Sequence, residues 1–211
     1  MTDMRSNKPV VRMESFSDRL KRIERRISSA EFKRHFAEQG DKMMALGRLL
    51  DFHKVRYCFL GGVVLPFYNY VRMTESMDTL VHRDDYGVFM GIPEISKTHL
   101  TGKAVSAFQG TPLNIIASES ATGFHCPHPK ELAEKNADIK MISFKRLLWM
   151  KVKGGLNPNR LKDLGDLQEL IRCNKPSRDY LDEFGGDIKS KYQEIWDCTM
   201  VGRTRHGNYG H

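Results

Sequence analysis

The feature that most constrains this chain is a six-residue run, Val-Arg-Tyr-Cys-Phe-Leu at 55–60, that stops at the pair Gly61-Gly62. The run is too short for a helix, rich in β-favouring side chains and bounded by glycine, so it reads as a strand. The glycine pair supplies a turn and lets another group approach the backbone closely. Residues 63–70 then read as a helix. A second apolar run at 77–81 follows the polar link Arg72-Met73-Thr74-Glu75. An order of strand, Gly-Gly turn, helix, strand points to an α/β (α+β) protein built on a mixed sheet flanked by helices.

The rest of the chain supplies those helices. Phe16, Leu20, Ile23 and Ile27 recur at helical spacing, with Ser17 and Asp18 placed to cap the start. Ser28 and Glu31 form a capping-box pattern for a second short helix through Phe32 and Phe36 that ends near Gly40. A third, over 42–53, carries Met43, Leu46, Leu49 and Leu50. Downstream, 83–92 reads as a short helix, 103–108 and 113–116 as strands around Gly110-Thr111-Pro112, and 118–137 as irregular. Ser143 is placed to cap a helix over 144–153 that ends at Gly154-Gly155, and Leu161, Leu164, Leu167 and Leu170 form the buried stripe of the next. After Ser177 a last helical region puts Ile188, Tyr192, Ile195 and Trp196 on one face. The pattern divides the chain into a basic helical extension (1–40), a core (41–175) and a C-terminal helical extension (176–211).

The net charge of +8 over 211 residues is unevenly spread. Residues 1–35 hold ten Lys/Arg against five Asp/Glu. Such a segment attracts RNA or a ribonucleoprotein surface through its phosphates, or is the solvated face of a helix. No apolar run reaches the roughly 20 residues of a membrane span, and the first residues lack an apolar targeting segment. Four cysteines without a Cys-x-x-Cys pairing point to a reducing compartment, cytoplasm or an organellar matrix. His125, Cys126 and His128 are the only dense cluster of soft metal ligands, with no second pair at a zinc-like spacing.

The stretch from Val55 to Val81 resembles the signature of the nucleotidyltransferase superfamily: strand, Gly-Gly or Gly-Ser turn, helix, then an Arg-x-Thr-x-Asp-x-Asp strand. Gly61, Gly62, Arg72, Thr74 and Asp78 match it. The stretch from Met141 to Ile171 is similar to the minimal abortive-infection and toxin-type branch, with Lys151, Arg160, Lys162, Asp163 and Asp166 in its basic and acidic slots. The likeness covers residues 41–172. It implies a nucleotide-binding set of Gly61, Gly62, Arg72, Thr74, Lys151, Lys162, Asp163 and Asp166, and a magnesium-dependent transfer of an NMP from an NTP onto RNA or protein if the site is active.

Two departures bear on that activity. The first aspartate of the Asp-x-Asp pair falls at Ser76, and the third-carboxylate slot holds Asn114. Only Asp78 remains as a charged ligand, and neutral oxygens hold hard divalent cations weakly. Two functions follow: a degenerate pseudoenzyme serving as a binding or scaffold module, possessing no metal cofactor, or an active toxin-type transferase with Asp78 as its residual ligand.

Overall fold

The computed structural model describes residues 14–100, 103–118, 129–133 and 138–201. His125, Cys126 and His128 lie outside them. Tyr57–Leu60 (β1) is buried along its whole length, and Gly61 turns the chain with φ of +70° into a 3-10 helix, Gly61–Tyr68. The expected α-helix is absent here because Pro66, inside this segment, has no N–H for an i→i−4 bond. Asn69, at φ of +60°, ends it in the left-handed conformation.

Met77–Val81 (β2) pairs antiparallel with β1 and parallel with Thr111–Ala117 (β5). Two further antiparallel strands, Ile95–Leu100 (β3) and Lys103–Phe108 (β4), complete a five-stranded mixed sheet in the order β1-β2-β5-β4-β3. β1 is therefore an end strand of the ladder. Its outer edge is bridged by Met141, with Phe59 N–H donating to Lys140 O and Ile142 N–H to Phe59 O, both at 2.8 Å. β3 was not expected from the sequence. Its Ser, Lys, Thr and His content suits an edge strand, where polar side chains discourage pairing with other chains. The β4–β5 turn is made by Gln109 and Gly110, both at positive φ. Paired positive φ angles match the twist of a two-residue hairpin, so Thr111 and Pro112 already belong to β5.

The N-terminal helices differ from the expectation in a way that matters. Phe16–Glu24 (α1) is capped by Ser15, whose hydroxyl accepts from Asp18 N–H, not by Ser17 or Asp18. Ala30–Phe52 (α2), capped by Ser29, is one continuous helix through Gly40. Gly40 does not stop it; it is where α1 crosses, and a Cβ there would sit 2.4 Å from Leu20 Cδ2. The expected boundary at residue 40 thus falls inside α2. Phe16, Leu20, Ile23 and Phe36 are buried in the same core as Met43, Leu46 and Leu50, and Phe16 stacks on Phe67 at 4.9 Å between ring centroids. A polar latch adds to this. Arg26 Nη1 donates to Asn69 Oδ1 at 2.8 Å, Asn69 Nδ2 to Asn174 Oδ1 at 2.9 Å, and Asn174 Nδ2 to Tyr68 O at 2.7 Å.

After the 3-10 turn Arg83–Asp85, the short helices Tyr86–Met90 (α3) and Pro129–Leu132 (α4) precede three longer ones: Phe144–Gly155 (α5), Leu161–Asn174 (α6) and Gly186–Met200 (α7). Gly154 and Gly155 form the last turn of α5, and their bare Cα atoms let α6 close in. A Cβ at Gly154 would lie 2.4 Å from Asp163 Oδ2, and one at Gly155 2.1 Å from Leu164 Cδ2. The expected leucine stripe of α6 is displaced. Leu161 is 70% exposed, whereas Asp163, Asp166, Leu167, Leu170 and Ile171 are buried. Tyr192 of α7 is fully buried in the common core, so the C-terminal extension also belongs to it. Among the described residues no helix is long and apolar enough to cross a membrane.

Candidate active site

Three elements meet at the glycine turn. The parallel β2–β5 register sets Asp78 beside Asn114, whose Nδ2 donates to Asp78 Oδ1 at 3.0 Å. The antiparallel register sets Asp78 opposite Leu60, so its carboxylate lies over the turn. A Cβ at Gly61 would stand 1.7 Å from Asp78 Oδ2, which is why no side chain fits there. The Gly62 N–H donates to the same carboxylate. Burial is the largest influence on Asp78 and pushes its carboxyl above the usual range. The Asn114 and Gly62 hydrogen bonds, then the charges of Lys151 and Arg72, oppose it.

Across from this strand pair, α5 and α6 carry a buried charge network. Lys151 Nζ donates to Asp163 Oδ1 at 2.8 Å and to Asp166 Oδ2 at 2.6 Å. Arg72 closes on Asp166 in a two-pronged contact, Nε to Oδ1 at 3.1 Å and Nη2 to Oδ2 at 3.2 Å. Arg160 Nε reaches Asp163 Oδ2 at 2.8 Å. The Asp163 and Asp166 side chains are 9% and 3% exposed. Carboxylates this deep require partners, because an isolated buried charge is strongly disfavoured.

Between the two halves lies a cleft of about 460 Å³. Asp78, Asn114, Gly61, Gly62, Arg72, Lys151, Lys162, Asp163 and Asp166, all singled out in the sequence, line it together with Arg160. Two other candidates do not. Ser76 sits in a bend one residue before β2 begins, so strand alternation does not carry it onto the Asp78 face, and it is absent from the lining. Thr74 backs the turn instead: a Cβ on Gly62 would meet its Oγ1 at 2.8 Å, and that hydroxyl donates to Ser76 O. Sequence reasoning missed the apolar wall formed by Leu60, Ile116, Leu147 and Met150. Ordinary core-type residues carry no local signal that they will face a cavity.

No family model matches the chain, and no curated protein matches it. Solved structures do. The crystal structure of an antigenic nucleotidyltransferase-like protein from Paracoccidioides brasiliensis superposes with a TM-score of 0.53 over 78% of this chain and 91% of that one, at 14% identity. The fold is nucleotidyltransferase-like. The solution structure of the antibiotic-resistance factor ANT(2'')-Ia aligns over 82% of this chain and 97% of its own, at 10% identity and a TM-score of 0.45.

A nucleotidyltransferase-like fold raises the question of divalent metal, and the donor set answers it. Asp78 is held by Asn114 and Gly62, and its carboxyl is pushed toward the neutral form. Asp163 and Asp166 are bound by Lys151, Arg160 and Arg72. Among the described residues no group of three His, Cys, Asp or Glu side chains is placed to hold a metal ion. Two-metal chemistry needs several unshared anionic oxygens, and these residues do not fit it.

Proposed function

We propose that this chain is a catalytically degenerate nucleotidyltransferase-fold protein of the minimal, toxin-like branch, acting as a binding or scaffold module in an RNA or ribonucleoprotein setting. One observation carries the reading. Every carboxylate in the cleft already has a protein partner, and the position beside Asp78 is the amide of Asn114. The RNA setting is supported by the ten Lys/Arg of residues 1–35, set against five acids. The second reading, an active transferase moving an NMP onto RNA or protein with magnesium, is favoured by the acidic helix α6 facing Asp78 across one cleft.

The two readings separate in one assay. The full chain is incubated with each labelled nucleoside triphosphate, magnesium or manganese, and bulk RNA. No label transfer is expected. Transfer that disappears in Asp78→Ala overturns the degenerate reading and establishes the second.

A further inference from the structure

We propose that the cleft binds a terminal phosphate or polyphosphate group without divalent metal, with Arg72, Lys151, Arg160 and Lys162 supplying the positive charge that metal ions supply elsewhere. This rests on the degenerate-site reading and says what the altered site is for. Four cationic side chains line the cleft against three carboxylates, an excess of one positive charge. Burial drives Asp78 toward its neutral form, which raises the excess.

The cations also keep hydrogen-bond capacity. A lysine ammonium has three donors and an arginine guanidinium five. Lys151 spends two on Asp163 and Asp166, and Arg72 two on Asp166. Arg160 is 57% exposed and Lys162 is exposed at the rim, so both reach a ligand without unfolding anything. In this arrangement the two buried aspartates are positioning residues. They fix Lys151, Arg72 and Arg160 in one cluster before the ligand arrives, which removes the ordering cost from binding.

The cations converge on a point instead of tracking a groove, which suits a chain-terminal or small-molecule polyphosphate better than successive phosphodiesters. The opposite wall of Leu60, Ile116, Leu147 and Met150 is apolar, and the cleft's volume lies within the ordinary range for small ligands. A phosphate ester with a flat or apolar body therefore fits better than the bare anion.

Calorimetric titration of the full chain with inorganic tripolyphosphate and with ATP, each in EDTA and in magnesium, tests this. Tripolyphosphate should bind in EDTA at least as tightly as in magnesium, since magnesium competes for the phosphates. ATP should bind more tightly than tripolyphosphate. The variant Arg160→Ala/Lys162→Ala, which alters two exposed side chains, should lose about 10-fold or more in affinity while melting like the parent. Binding that requires magnesium, or EDTA binding unchanged in that variant, overturns the proposal. So does absence of tripolyphosphate binding under both conditions, an outcome that leaves the degenerate reading standing. Label transfer in the preceding assay overturns that reading instead.

Discussion

Lys151→Met offers the sharpest test of the charge network, because it removes the one cation shared by both buried aspartates. The methionine keeps most of the lysine's apolar length, so lost packing contributes little. What remains is electrostatic. Breaking a buried pair by removing one partner costs about 3–5 kcal/mol, since it strands a charge away from water. Here each aspartate keeps a second partner: Asp166 keeps Arg72, whose side chain is 22% exposed, and Asp163 keeps Arg160, which at 57% exposed is well screened. The low end of the range, about 3 kcal/mol, is therefore expected. For a chain of this size that is roughly 6–12 °C in melting temperature, at 2–4 °C per kcal/mol. Thermal melts by circular dichroism measure it. The double variant Lys151→Met/Asp163→Asn should be less destabilised than the sum of its single changes, because it no longer strands a carboxylate. A Lys151→Met melt within about 2 °C of the parent, or strict additivity in the cycle, would refute a buried, mutually dependent network.

Two further outcomes follow from named contacts. The Asp78 carboxyl is raised by burial, so its charged form costs the fold stability. That cost is absent below the unfolded value near 4 and grows as pH rises through the folded value. The melting temperature of Asp78→Asn relative to the parent should therefore increase between pH 4 and pH 7, and a flat or falling difference would show that the carboxylate is not desolvated. Phe16→Ala should cost about 3 kcal/mol or more in urea unfolding, since its ring is 1% exposed and stacked on Phe67. A cost below about 1 kcal/mol would mean that α1 is a detachable arm after all.

The sequence by itself determined the elements whose causes are local. The strand before Gly61-Gly62, the strand holding Asp78 and the helices around Lys151 and Asp163 are legible because periodicity and glycine placement act over a few residues. The likeness of two motifs in the right order was enough to anticipate the fold and to place Asn114 beside Asp78, 36 residues apart in the chain. Where the sequence misled, the cause was a contact it does not encode locally. Gly40 has the look of a helix stop, and only the crossing of Leu20 shows why the glycine is there and why α1 belongs to the core. Ser76 has the spacing of a ligand, but β2 begins at Met77 and leaves it outside the alternation. The network that sets the cleft's chemistry was likewise decided by tertiary structure. Arg72 and Asp166 are 94 residues apart, and nothing in either neighbourhood says that they meet. Spacing shows which side chains share a face of one element. Which faces are then pressed together, and how deeply their charges are buried, depends on the packing of the whole chain.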